Sequence, residues 1–375
     1  MVNKKAPLKI IVKTTHRCNL ECTYCMTESE AEKGYMDHKT LENMLRKIAQ
    51  WNDGFKFTSL IWHGGEPLLL GLDFYKKAVD IQKTISNHKF NNSVQSNGLL
   101  LKDYVDFFVD NNFCIGMSLD GPRQIQNKMR PKKGGLASFE ETLAMIKLAK
   151  EKEIGGGAIC ILNKYTAQHL SDIYSFFKKE RIHHKVNVML PAGRAANRPD
   201  LSLPVAEIGK CLTEYFDMWW NDASKPIIDV DPFTSIIYNL GASKNKRVMG
   251  DYPVGCQFTN DCGNTFISVV PGGNVYPCGR FSGIQGYRYR NINIDSMDSI
   301  MNSNPRNLLL KRNSEPVESC KKCEYVPICN SGCPENAHLF YGDIFREDGL
   351  CKANKMLFKH IENNLKKELS KANMK

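Results

Sequence analysis

A chain of 375 residues with 42% hydrophobic and 24% charged content has an ordinary globular composition, long enough for one large core and a smaller appended domain. It has no run of about 18 apolar residues and no charged leader before an apolar stretch, which speaks against membrane spanning and secretion and makes the cytoplasm the expected location. The formal charge of +11 is carried by scattered lysines and reads as a solvated surface rather than a nucleic-acid site, while 14 cysteines point to metal or redox chemistry rather than a disulfide framework.

After a short polar lead, Met1 to Pro7, residues 8–190 read as repeated strand–helix units. Apolar and β-branched runs predict strands at Leu8–Lys13, Thr58–Trp62, Ser93–Gln95, Cys114–Leu119, Ala158–Leu162 and Val186–Leu190. Helical spacing predicts helices at Lys39–Trp51, Asp73–Ser86, Lys102–Asn111, Ser138–Lys152 and Ala167–Lys179. Strands joined by helices through short loops imply an α/β fold: a parallel sheet with helices outside, curled by right-handed crossovers into a full or partial barrel. Helices over Pro204–Asn221 and Pro232–Leu240 follow, then a segment rich in Cys, Gly, Pro and Asn with short strands at Phe266–Val270 and Val275–Tyr276. Such a segment buries little apolar surface and would lean on metal for stability. A closing helix, Ala353–Leu369, carries a Lys-rich face. The expected units are a barrel over 1–200, a helical connection over 201–255, the Cys-rich domain over 256–352 and the last helix over 353–375.

In barrels of this kind function collects at the carboxyl ends of the strands. Four loops with notable polar residues fall there. After the first strand comes Cys18-x3-Cys22-x2-Cys25, after the second Gly64-Gly65-Glu66-Pro67, after the third Ser96-Asn97-Gly98, and on the fourth Ser118-Leu119-Asp120-Gly121. Three close thiolates can hold three irons of a cubane cluster and leave the fourth open to a small molecule. A finger-type zinc site wants four ligands, and no second cysteine pair lies near this triplet. Alternation along the fourth strand puts Cys114, Gly116, Ser118 and Asp120 on one face, toward the lumen. Gly155-Gly156-Gly157 lacks the lysine of a phosphate loop and reads as a strand-entry turn.

The triplet and the Gly64-Gly65-Glu66-Pro67 run resemble those of the radical S-adenosylmethionine (SAM) enzymes. In that family the open iron chelates the amino and carboxylate groups of SAM, and one electron cleaves the sulfonium to release a 5′-deoxyadenosyl radical. The resemblance implies that Tyr24 borders the SAM pocket, that the loop carbonyls with Glu66 bind the SAM ammonium, and that Ser96, Asn97 and Ser118 bond its ribose or carboxylate. It also maps a carboxylate-binding cation onto Arg130 and an adenine contact onto Leu190. A fixed guanidinium suits a carboxylate. His63, just before the first glycine, is expected to touch substrate or support the site.

Toward the carboxyl end Cys320-x2-Cys323-x5-Cys329-x3-Cys333 and then Cys351 are preceded by Cys256, Cys262 and Cys278. The pattern resembles the SPASM domain, which carries two auxiliary [4Fe-4S] clusters. Its interleaving implies Cys256, Cys262, Cys278 and Cys333 for the first and Cys320, Cys323, Cys329 and Cys351 for the second. Two structural zincs are the competing reading, since each can use four thiolates. Three clusters in all would contribute roughly −1, −2 and −2 and lower the net charge to about +6. Cys114, Cys160 and Cys211 remain; the bland reading is small buried hydrophobes, with a hydrogen-donor role for Cys114 as the alternative.

The resemblance implies oxidation of a substrate carbon by hydrogen-atom abstraction, with the second electron leaving through an auxiliary cluster and a flavodoxin- or ferredoxin-type protein as reductant. A monomer acting on a peptide or protein is the expected form. Length and the early first strand are similar to anaerobic sulfatase maturases, which convert Cys or Ser to formylglycine. In those enzymes the third cysteine of the auxiliary set is followed by an Asp thought to take the substrate proton; here Cys278 is followed by Gly279. A peptide maturase of different outcome is therefore the first expectation, with sulfatase maturation and oxidation of a small molecule as alternatives.

Overall fold

The structure, a computed structural model, describes residues 7–26, 34–244, 254–259 and 261–373, so all of the polar lead but Pro7 lies outside it. Strand β1 (Lys9–Thr15) alternates: Ile10 and Val12 are fully buried against helix α1 (His38–Trp51), which presents Leu41, Met44, Leu45 and Ile48 at helical spacing. Asp37 caps that helix, accepting from the Thr40 amide at 2.7 Å. The pattern repeats through β2 (Phe57–Gly64), α2 (Leu72–Thr84), β3 (Lys89–Ser96), α3 (Val105–Asp110), β4 (Cys114–Ser118), α4 (Arg123–Met129), α5 (Phe139–Glu151), β5 (Gly155–Leu162), α6 (Leu170–Lys179) and β6 (His184–Val188). β1 to β6 pair in parallel in chain order, forming an open (β/α)6 partial barrel.

Beyond it come α7 (Val205–Trp220), β7 (Val230–Asp231) and α8 (Phe233–Lys244), with β7 extending the sheet past β6. The cysteine-rich part holds β8 (Phe266–Val269), β9 (Asn274–Tyr276), β10 (Arg290–Asn291), α9 (Met297–Met301), α10 (Asn304–Ser314), α11 (Val326–Cys329) and α12 (Pro334–Tyr341). β8 pairs in parallel with β1, so one ten-stranded sheet runs β10-β9-β8-β1-β2-β3-β4-β5-β6-β7. The last helix, α13 (Cys351–Asn373), lies against α7, where Gly209 admits Met356 and Ala353 and Asp217 meets His360 at 2.6 Å.

Three expectations need correction. The segment 256–352 has an apolar core of its own: Phe258, Phe281, Ile292, Ile300, Met301 and Leu309 are all buried, and its first strand is stitched to the barrel sheet. The third strand is longer than predicted because Asn92, which breaks the apolar pattern, is buried with its partners supplied by Trp62 and Gln82. The glycines at 155–157 form the start of β5 rather than a turn, since a Cβ on Gly155 would lie 2.3 Å from the Ile115 carbonyl oxygen.

Candidate functional site

The triplet loop leaves β1 at its carboxyl end and is held by hydrogen bonds from three directions. The Glu21 and Thr23 amides donate to the Pro131 and Met129 carbonyls, and the Arg194 amide donates to the Cys25 carbonyl at 2.7 Å. Arg194 Nη1 also donates to the Cys22 carbonyl at 3.0 Å. Asn97 Nδ2 donates to Asn19 Oδ1 at 2.7 Å and reaches Cys18 Sγ at 3.7 Å. Burial pushes the Cys18 thiol up to about 11 and the Cys22 thiol up to about 12, with the neighbouring cysteine sulfurs adding to the rise. Crowded buried thiols of this kind gain most from a cation that takes them as thiolates.

Gly64 and Gly65 are required by the backbone they touch. A Cβ on Gly64 would lie 2.2 Å from the Thr15 carbonyl oxygen, and one on Gly65 2.2 Å from that of Arg17. The Gly65 and Glu66 amides donate to those same two oxygens at 2.8 Å, which pins this loop to the residues leading into Cys18. Glu66 is fully buried, accepting from the Leu68 amide (3.1 Å), the Ser96 hydroxyl (2.8 Å) and the Asn97 amide (2.8 Å). Burial outweighs those donors and pushes its carboxyl up to about 7. Pro67, which opens the short turn after it, is buried as well. Glu66 thus braces the second and third loops together, a role its sequence motif did not reveal.

Asp120 is the hub on the far side. Fully buried, it accepts from the Tyr24 hydroxyl, from Arg130 Nη2 at 3.1 Å and from the Ile161 amide at 3.0 Å. The Arg130 guanidinium lies over the Tyr24 ring, 5.3 Å from its centroid. Ser118 stands one step earlier on β4 within 3.5 Å of Gln95 Nε2. Leu190, buried, precedes the loop that carries Gly193 and Arg194 onto the triplet. Tyr24, Arg130, Glu66, Ser96 and Asn97 are therefore tied to the cysteine loop by contacts, with Ser118 and Leu190 at neighbouring strand ends.

On the lumen face of β1, Ile11 and Lys13 alternate with the core residues, and register sets Lys13 beside His63 of β2. His63 Nδ1 accepts from the Gly64 amide at 2.6 Å. Lys13 is 1% exposed, a charged residue at the end of an apolar strand that sequence reading passed over. A Cβ on Gly279 would stand 3.2 Å from Ile11 Cγ2 and 3.5 Å from Lys13 Cε. The loop after Cys278 thus reaches the lumen. Toward the amino ends of β4 to β7 the lumen opens into a cavity of about 410 Å³ lined by Cys114, His183, Lys185, Asp229, Asp231 and Thr234.

The eight carboxyl-terminal cysteines fall into two groups. Burial, and after it the nearby Cys333, Cys256 and Cys278 sulfurs, push the Cys262 thiol up. Cys320, Cys323, Cys329 and Cys351 together line a second, much smaller cavity of about 20 Å³ with Asp348 and Lys355. Among the described residues no three His, Cys, Asp or Glu side chains converge closely enough to hold a single metal ion. A four-iron cluster takes one thiolate per iron, so its ligands surround a volume rather than a point, and all three cysteine groups fit that donor set. Of the other cysteines, Cys160 is buried and Cys211 partly so, as the bland reading expects, whereas Cys114 is exposed at the start of β4.

Residues 12–177 match the Radical SAM superfamily, and residues 256–324 match SPASM, the iron–sulfur cluster-binding domain. Over 340 residues the chain is 28% identical to the cysteine-type anaerobic sulfatase-maturating enzyme of Clostridium perfringens, covering 87% of this chain and 89% of that one. It is 29% identical over 396 residues to the serine-type enzyme of Bacteroides thetaiotaomicron, covering 97% and 92%. The solved structure of native anSMEcpe with bound AdoMet and Kp18Cys peptide superposes with a TM-score of 0.84 at 26% identity, over 98% of this chain and all of that one. Streptococcus suis SuiB bound to precursor peptide SuiA shares the fold, with a TM-score of 0.66 at 16% identity over 92% and 76% of the two chains.

Proposed function

We propose that this radical SAM enzyme, with its SPASM domain, is a maturase that oxidises a residue of a peptide or protein in the barrel lumen. The observation that carries the reading is the packing of Gly279, next to Cys278, against Ile11 and Lys13, which sets one auxiliary cysteine group beside the space a substrate would occupy. Cys18, Cys22 and Cys25 would hold a four-iron cluster with an open iron. Cys256, Cys262, Cys278 and Cys333 would hold a second, and Cys320, Cys323, Cys329 and Cys351 a third. When bound at the triplet, SAM and a reduced cluster would supply a 5′-deoxyadenosyl radical as the acceptor for a substrate hydrogen atom.

The chain's own residues bind, orient and shield. Arg130, fixed by Asp120, offers a cation to the SAM carboxylate, with Ser118 beside it. The Gly64 and Gly65 carbonyls, held by the Glu66 brace, face the SAM ammonium, while Ser96 and Asn97, bonded to Glu66 and Asn19, hold the wall alongside. Tyr24 and Leu190 close the pocket with apolar surface. The substrate reaches the lumen through the cavity around Cys114 and Lys185. We assign a flavodoxin- or ferredoxin-type reductant, a monomeric state, a cytoplasmic location and the four units 1–200, 201–255, 256–352 and 353–375, with no nucleic-acid or membrane partner. No helix among the described residues is long and apolar enough to cross a membrane.

Sulfatase maturation is the second reading, favoured by 28% and 29% identity over most of the length of a cysteine-type and a serine-type enzyme. Against it stands Gly279, which has no side chain to take a proton and packs against the Lys13 side chain near its Cε. The deciding experiment incubates reconstituted, reduced enzyme and SAM with a sulfatase-type Cys peptide and looks for aldehyde by mass spectrometry. The first reading predicts none from the wild type and a gain in Gly279→Asp, whose carboxylate would meet Lys13. Efficient aldehyde formation by the wild type would move the assignment to sulfatase maturation.

A further inference from the structure

Arg280 turns back from the loop after Cys278 onto the first auxiliary cysteine group. Its Nη1 lies 3.7 Å from Cys333 Sγ, and its Nη2 donates to Asn336 Oδ1 at 2.7 Å and pairs with Glu335. Glu335 is 1% exposed and Asn336 5% exposed, both on the first turn of α12. Asn336 Nδ2 donates to Asp348 Oδ1 at 2.8 Å, and Asp348 Oδ2 takes the Cys333 amide at 2.8 Å. The guanidinium is thus held in one orientation against a sulfur by Glu335 and Asn336.

We propose that Arg280 raises the reduction potential of the cluster held by Cys256, Cys262, Cys278 and Cys333, fitting that cluster to accept the electron released when the substrate radical is oxidised. This rests on the ligand reading above. Reducing a cluster adds one negative charge, so a fixed cation and an N–H donor at a ligand sulfur stabilise the reduced form. Glu335 opposes the guanidinium and holds it, which limits the rise. The balance is simple: the substrate radical loses one electron, which the cluster gains, and releases its proton to solvent. A guanidinium serving only to tie the loop to α12 would leave the potential unmoved.

The test is an anaerobic redox titration by EPR in full-length protein carrying Cys18→Ala/Cys22→Ala/Cys25→Ala, so that only auxiliary signals remain, with iron counted in every sample. Arg280→Gln should lower the potential of one cluster and leave the other unchanged. Glu335→Gln should raise the same one, and Arg280→Lys should stay near the parent. An unshifted Arg280→Gln with full iron would overturn the proposal while leaving the ligand assignment intact. If Arg280→Gln loses iron, Glu335→Gln decides, and no rise there overturns it equally. A parent without about eight irons would instead refute the ligand assignment itself, and the proposal with it.

Discussion

Replacing Asp120 by Asn removes one charge from the buried cluster it forms with Arg130 and Tyr24 without changing the side chain's size. Asp120 is fully buried and the Arg130 side chain is only 9% exposed, at 3.1 Å. At that distance, and with an effective dielectric constant of about 20, the attraction is about 5 kcal/mol. Breaking buried pairs by removing one partner costs about 3–5 kcal/mol, because the other charge is left uncompensated. We therefore expect Asp120→Asn to lose about 3–5 kcal/mol in anaerobic urea unfolding of the reconstituted protein, followed by tryptophan fluorescence. Arg130→Met should cost less, since Asp120 keeps the Tyr24 hydroxyl and the Ile161 amide as donors. The double variant should recover most of the stability and still fail to bind SAM. A loss below about 1 kcal/mol in Asp120→Asn would refute the view that this pair is buried and mutually dependent.

Gly65→Ala must push its Cβ away from backbone atoms of Arg17 and His16 that now lie 2.2–2.7 Å from it. It should shed the triplet's iron, about four atoms, while the auxiliary iron stays; an unchanged count would show the loop can yield. Glu66 supplies a pH signature. Its carboxyl, pushed up by burial to about 7 from 4.5, holds its proton in the folded state where the unfolded chain has lost it. Stability is then greatest below about pH 4.5 and falls as pH rises toward 7, by up to about 3 kcal/mol. The difference between wild type and Glu66→Gln in urea midpoint should show that slope; parallel profiles would contradict it.

The barrel was legible because six apolar strand patterns and five helical periods alternate, and because its special residues fall at strand ends. Polar residues that the core satisfies internally were not. Asn92 hides the first half of β3 behind a hydrogen-bonded pair with Gln82, and Lys13 is a lumen group inside what reads as an apolar run. Glu66 lies in a recognisable motif, yet its three internal donors come from residues up to 31 positions away, which no local pattern encodes. The cysteine-rich part read as poor in core because its buried residues are spread singly among turns. They meet only when β8 joins β1. Arg194 and Arg280 act through backbone carbonyls and a sulfur, partners that leave no trace in spacing.

The most direct test of three cysteine groups serving one radical reaction is anaerobic reconstitution with iron, sulfide and zinc counting, in wild type and in Cys18→Ala/Cys22→Ala/Cys25→Ala. The account predicts about twelve irons falling to about eight, with 5′-deoxyadenosine and methionine production lost in the variant. About four irons with about two zincs in the wild type would contradict it, leaving the carboxyl-terminal cysteines structural and the electron without its exit.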